Sequence, residues 1–183
     1  KSEEANPRPA RERFRIFIDF DNTISRGDVL DGVIAKFAVG DRWQELEADW
    51  DAGRIGAREC LDGQLRSIRC SWSELSRHLD TVQLDPGFNQ LLTLADRFGV
   101  ELTIVSDNFD LILGHVLRQN GLNSVTCFAN HLEADHDRYL PAFPFSNPDC
   151  PTCAHCKKTH FLPRGDDPRA VVYIGDGRSD LCP

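Results

Sequence analysis

Two aspartates stand two apart in Asp19-Phe20-Asp21, at the end of the β-branched and aromatic run Arg15-Ile16-Phe17-Ile18. If extended geometry persists, that spacing puts both carboxylates on one face. Two more acidic residues, Asp176 and Asp180, flank Gly177 after the run Ala170-Val171-Val172-Tyr173-Ile174. Ser106 closes the run Val100–Val105, and the pair Lys157-Lys158 precedes a short apolar segment at Phe161-Leu162. Carboxylates converging at one edge repel each other unless a hard cation neutralises them. Mg²⁺ suits carboxylate oxygens together with a substrate phosphate. Each feature alone has a plain reading: Asp-x-Asp as a solvated turn, Ser106 as a helix cap, the glycines at 175 and 177 as a turn. Their order along the chain is what points to phosphate or metal chemistry.

A second group is Cys150-x-x-Cys153-x-x-Cys156 with His155 or His160 beside it. The spacing fits tetrahedral Zn²⁺, with Cys150, Cys153, Cys156 and His160 as candidate ligands. The chain holds seven cysteines, an odd number, and three of them crowd into this stretch. That pattern suggests reduced thiols or a metal knuckle, not the disulfide frame of a secreted protein. No hydrophobic signal segment is visible in Lys1 to Arg15, so the expected location is the cytoplasm.

The elements that must position these groups follow from pattern. Four runs read as buried strands: Arg15–Phe20, Val100–Val105, Ser124–Ala129 and Ala170–Ile174. Pro86 to Phe98 puts Phe88, Leu91, Leu92, Ala95 and Phe98 on one helical face and stops at Gly99. Phe109 to Asn120 repeats the pattern before Gly121. Strands alternating with helices predict an α/β architecture, a Rossmann-like parallel sheet with its ligand site at the carboxyl ends of the strands. The first two strands are too far apart for a single crossover, so residues 25–84 read as a helical cap inserted after the first strand. One stripe there is Val29, Leu30, Val33, Ile34 and Phe37; another is Trp43, Leu46 and Trp50, and Trp43, Trp50 and Phe37 are expected in the cap core. Ser71 and Glu74 resemble a capping box. Residues 14–24 and 85–183 form the core, and residues 1–13 read as a disordered arm.

Composition narrows the function classes. Of 183 residues, 40% are hydrophobic and 27% charged, as in a soluble globular protein. No apolar run approaches the ~18 residues a membrane span needs. Against 29 acidic residues stand 21 basic ones, a net charge of −8, which disfavours nucleic-acid binding through a basic face. The expected partner is a small phosphorylated metabolite; oligomeric state is not readable.

Taken in order, Asp19-Phe20-Asp21-Asn22-Thr23, Ser106, a lysine and Gly175-Asp176-Gly177-Arg178-Ser179-Asp180 resemble the four motifs of the haloacid dehalogenase-like (HAD) phosphohydrolases. The insertion is similar to the cap of the phosphoserine phosphatase-like subgroup. Ser106-Asp107-Asn108-Phe109-Asp110 and the cysteine before the lysine look most like the methionine-salvage enol-phosphate phosphatases and the phosphoethanolamine/phosphocholine phosphatases. The resemblance implies Mg²⁺-dependent hydrolysis of a phosphate monoester through an aspartyl-phosphate. Asp19 would be the nucleophile and Asp21 the general acid and base, with Thr23, Ser106, Asp107 and Lys157 around the phosphate. Asp19, Asp21, Asp176 and Asp180 would serve the metal. Lys157 is preferred to Lys158 because it directly follows Cys156, and the family's own cysteines before that lysine make a loop role an alternative to zinc. Asp62 stands where a phosphoserine phosphatase would carry an arginine, which ranks phosphoserine below less anionic esters. The resemblance also implies a further strand and helices after the last motif, so a C-terminal strand and helix are expected to be missing, leaving an apolar edge. Two other readings are a phosphotransferase or phosphomutase of the same fold, and a catalytically silent, zinc-stabilised fragment.

Overall fold

The structure, a computed structural model, describes residues 14–150, 153–161, 167 and 169–177. The expectations for residues 1–13 and for Asp180 lie outside these. In chain order the elements are β1 (Phe14–Ile18), α1 (Val29–Phe37), α2 (Arg42–Asp51), α3 (Ala57–Ser67), α4 (Trp72–Leu79), α5 (Pro86–Phe98) and β2 (Leu102–Phe109). They continue as α6 (Asp110–Gln119), β3 (Thr126–Asp135), β4 (Arg138–Ala142), α7 (Lys158–Phe161) and β5 (Ala170–Ile174). No helix is long and apolar enough to cross a membrane among the described residues.

The strands form one sheet in the order β4-β3-β2-β1-β5. β1 lies parallel to β2 and to β5, with Ile18 beside Ile104 on one side and Ile174 on the other. β2 is parallel to β3, whereas β4 returns antiparallel beside β3. The fold is the expected α/β type, but the sheet is mixed. Pattern alone misses β4 because Pro141 demotes a strand. An edge strand tolerates proline, since one of its sides needs no donor for the ladder.

The insertion leaves and returns through a narrow neck. The Arg26 amide donates to the Gln83 carbonyl (2.8 Å) and the Asp85 amide to the Ile24 carbonyl (2.8 Å). α1 buries Val29, Leu30, Val33 and Ile34, the stripe read from periodicity. Ser71 and Glu74 do form a reciprocal capping box at the start of α4. Ser71→Ala is expected to cost about 1 kcal/mol, read as a lowered denaturation midpoint with an unchanged m-value.

Insertion and sheet share one core. Ile18, Phe20, Val33, Leu65, Leu75, Ile104 and Tyr139 belong to a single buried cluster. Tyr139 of β4 is fully buried, its hydroxyl 3.9 Å from the Cys70 sulfur, and the Cys70 amide donates to the Asp137 carbonyl. The β3–β4 hairpin is thereby lodged against the insertion. At the opposite edge, Val171, Val172 and Ile174 of β5 are between 36% and 41% exposed.

Candidate active site

Parallel register brings the carboxyl ends of β1, β2 and β5 to one edge. Pairing runs one residue past β1, the Asp19 amide donating to the Ile174 carbonyl (2.9 Å). The chain then turns sharply: the amides of Ile24 and Ser25 both donate to the Phe20 carbonyl, at 2.8 and 3.0 Å. Asn22 sits in the turn at φ 55°, a left-handed conformation that asparagine accepts more readily than most side chains. The turn carries Asp21 back to the first amide of α1, and Val29 N–H donates to Asp21 Oδ1 (2.8 Å). The Asn108 amide donates to Asp21 Oδ2 at 3.0 Å.

β2 ends in a register shift against β3, between Val105 and Phe109. Such irregularities re-aim side chains. Here they present Ser106, Asp107 and Asn108 to the edge. Ser106 is buried, and its hydroxyl oxygen accepts from the Asn108 amide (3.1 Å). Lys157 arrives from the loop before α7, its Nζ 3.0 Å from Asp19 Oδ1, with both side chains buried. Lys158 is exposed. The Phe161 ring anchors α7 to the sheet, 4.9 Å from Phe17 and 5.0 Å from Tyr173, a side-by-side pair on β1 and β5. The Thr23 hydroxyl donates to Asp176 Oδ1 (3.1 Å), tying the β1 turn to the β5 loop.

Beside Lys157 and Thr23 opens a cavity of about 210 Å³. Asp19, Asp21, Ser106, Asp107, Asn108 and Asp176 form its floor. Asp28, Asp31, Glu47, Trp50 and Gln64 of the insertion form its wall. Burial, above all, and then Asp28 push the Asp21 carboxyl up to about 8, against hydrogen bonds from Asn108 and Val29 that favour the anion. That shift favours the protonated carboxyl, the form able to donate a proton. Burial also raises Asp28, with Asp176 adding to it. Partial burial, with Asp28 and Glu47, lifts Asp31 to about 6. Carboxyls crowded until they hold protons are the environment a hard divalent cation relieves, and Asp19, Asp21 and Asp176 offer oxygen donors of the kind Mg²⁺ takes. Mg²⁺ needs only one or two carboxylates beside water and substrate phosphate. Asp180 lies outside the described residues.

The zinc expectation is not supported. Among the described residues, no group of three or more His, Cys, Asp or Glu side chains is arranged to hold a metal, as a structural zinc site requires; Mg²⁺ taken by one or two carboxylates with water and substrate phosphate does not need such a group. The Cys150 and Cys153 sulfurs are 3.2 Å apart, but the Cys156 sulfur takes a hydrogen bond from Asn147 (3.9 Å). His160 faces His155, Nε2 to Nε2, at 2.7 Å. Spacing alone could not say that the sulfurs and the imidazole serve separate contacts.

Sequence reasoning missed Asn108, whose polar side chain sits two residues past Ser106 in a strand. It also placed Trp50 in the core of the insertion, whereas Trp43 and Phe37 pack there and Trp50 faces the cavity. Arg58 is exposed, and Asp62 pairs with Arg66 (2.9 Å) outside the cavity wall.

A family model described as haloacid dehalogenase-like hydrolase matches residues 16–182. The chain belongs to this family. Among HAD relatives, a phosphoserine phosphatase of Archaeoglobus fulgidus is 26% identical over 93% of this chain, which spans 49% of that protein. A 2-hydroxy-3-keto-5-methylthiopentenyl-1-phosphate phosphatase of Brevibacillus brevis is 28% identical, over 91% of this chain and 77% of that one. The chain thus spans about half the length of the first relative and about three quarters of the second. The crystal structure of a HAD family hydrolase from Salmonella enterica serovar Typhi shares the fold with a TM-score of 0.72 at 18% identity, covering 96% of this chain and 60% of that one.

Proposed function

We propose that this HAD hydrolase cleaves the phosphate monoester of a small metabolite through an aspartyl-phosphate on Asp19. The observation that carries the reading is the pairing of a buried carboxylate, Asp19, held 3.0 Å from Lys157, with a second buried carboxyl, Asp21, two residues away in the same cavity, whose surroundings favour its protonated form. An Asp19 carboxylate oxygen attacks phosphorus, and the bond from phosphorus to the ester oxygen breaks. Asp21 gives its proton to the leaving alkoxide. It then takes a proton from the water that attacks the aspartyl-phosphate, releasing inorganic phosphate and restoring both carboxyls. One difficult displacement becomes two easier ones. Lys157 and Ser106 hold phosphoryl oxygens, the lysine as a compact positive charge. The carboxylates of Asp19 and Asp176, with the backbone carbonyl of Asp21, would hold Mg²⁺, the ion that HAD phosphatases generally use, and it would offset charge on the phosphoryl oxygens. The helical insertion acts as a cap that sets specificity and keeps bulk water from the reacting groups.

The test is release of inorganic phosphate from p-nitrophenyl phosphate, expected with Mg²⁺ and abolished by EDTA. Hydrolysis that ignores the chelator counts against the reading. The cap wall supports a charge preference as well. It carries Asp28, Asp31 and Glu47 and no Lys, Arg or His among the described lining residues. An ester bearing a carboxylate finds no cationic partner among those residues and is repelled by each of the carboxyls that is ionised. Propyl phosphate is expected to exceed phosphoglycolate by roughly tenfold in kcat/KM, because repulsion discriminates as effectively as attraction.

A further inference from the structure

One buried histidine ties the segment that carries Lys157 to the end of β2. His155 is 1% exposed and lies two residues before Lys157. Its amide donates to Asp107 Oδ1 (2.8 Å), and its Nδ1 is 2.9 Å from the Ser106 carbonyl oxygen. A carbonyl oxygen only accepts, so Nδ1 carries the proton in that bond. Nε2 of the neutral ring is then an acceptor, and His160 Nε2, 2.7 Å away, must be the donor. Two protons cannot occupy that short gap. His160 sits three residues after Lys157, so the imidazole contact closes across the lysine from both sides. Aromatic faces hold both rings in plane: His155 stacks on Phe145 at 4.6 Å and His160 on Phe128 at 4.4 Å. Burial first, and His160 second, lower His155 to about 3, in keeping with a ring that stays neutral.

We propose that His155, locked by His160 as the Nδ1–H tautomer, is a positioning residue that sets Lys157 against Ser106 and Asp107, and so fixes the width of the phosphoryl grip. The inference rests on the phosphatase reading, which assigns those three residues to the phosphate. Within that reading it adds a role for the Ala154-His155-Cys156 stretch that neither zinc nor the catalytic carboxyls use. A small misplacement of a grip of this kind costs far more in function than in folding, about a hundredfold per ångström in unfavourable cases.

The experiment compares His155→Asn, His155→Leu and His160→Gln with the parent protein. The Asn side-chain N–H can replace Nδ1–H toward the Ser106 carbonyl, and the Gln N–H can replace the His160 donor; Leu offers neither. Binding of inorganic phosphate in the presence of Mg²⁺ is measured by calorimetry, beside kcat and KM for p-nitrophenyl phosphate and the melting temperature. Phosphate affinity is expected to stay within about fivefold of the parent for His155→Asn and His160→Gln, and to fall by at least about tenfold for His155→Leu. Leu and Asn variants that behave alike, whether both intact or both impaired in step with melting temperature, overturn the proposal. Long-range ¹H–¹⁵N spectra of the parent provide a check that no substitution can confound: His155 found as the Nε2–H tautomer also overturns it. A parent that binds phosphate, with the expected ranking of variants, yet turns over no ester sinks the catalytic reading and leaves this one standing.

Discussion

Asp19→Asn is expected to lower phosphate release by three orders of magnitude or more, the scale on which loss of a covalent nucleophile acts in other enzymes. The amide keeps the shape of the carboxylate but has no anionic oxygen to attack phosphorus, so no aspartyl-phosphate forms. The same substitution has a structural cost. Asp19 faces Lys157 at 3.0 Å with both side chains buried, and the amide removes the negative partner of a buried ammonium. Loss of one member of a buried pair costs on the order of 3 kcal/mol or more, and the retained amide oxygen offsets part of that as an acceptor. A lowered melting temperature should therefore accompany the lost turnover. Measuring both separates the two effects: a temperature exists at which the variant is fully folded, and it should still release no phosphate there. Turnover close to that of the parent under those conditions would move the nucleophile elsewhere.

Asp21→Asn has the second large effect, in two readouts. An amide can neither protonate the leaving alkoxide nor accept the proton of the attacking water, so turnover should fall by roughly 10²–10⁴. The loss should shrink for esters whose leaving group needs no proton, so an aryl phosphate should suffer less than an alkyl phosphate. The other readout is stability without metal. The folded-state value of Asp21 is raised to about 8 from 3.8, chiefly by burial. Between those values the folded protein binds a proton that the unfolded chain has released. The stabilising contribution is then fully present below about pH 4 and is lost as pH rises through about 8. Denaturation of the metal-free parent and of Asp21→Asn at a series of pH values isolates that contribution as the difference between the two profiles. The parent's advantage should fall across the window by a few kcal/mol, while His155, lowered to about 3, adds the same opposite rise to both. A difference between the two profiles that does not shrink as pH rises contradicts the assignment.

Why some of the site is legible in sequence and some is not follows from local physics. Asp19, Ser106 and Asp176 each stand just after an apolar run, where a buried strand reaches the edge of its sheet. Parallel pairing then gathers them without help from side chains. Lys157 is different. Adjacent lysines look alike in composition, and contacts distant in sequence, such as Phe161 seated on Phe17 and Tyr173, accompany the inward turn of Lys157. Asn108 escapes notice because it faces Asp21 only after the register of β2 slips against β3, and a slip of that kind has no compositional marker. β4 was hidden by Pro141, a residue that forbids a central strand and permits an edge. The cysteines mislead in the other direction. Their spacing fits a metal, yet spacing along a chain is blind to an Asn147 amide or a neighbouring imidazole that takes the same atom.

The lodging of Tyr139 against the helical insertion has a consequence for how this protein could be re-engineered. In a modular hydrolase, the helices over the pocket could be exchanged for those of a cousin to transplant selectivity, leaving the catalytic scaffold untouched. Here the exchange would strip the cover from Tyr139 and Leu132 and from Phe20 beside the nucleophile, three side chains at most 3% exposed. A successful graft must bring the β3–β4 hairpin with the helices, or mutate its inward face to suit the newcomer. An exchange of the helices over the pocket therefore calls for compensating changes some seventy residues apart, at Cys70 and Tyr139.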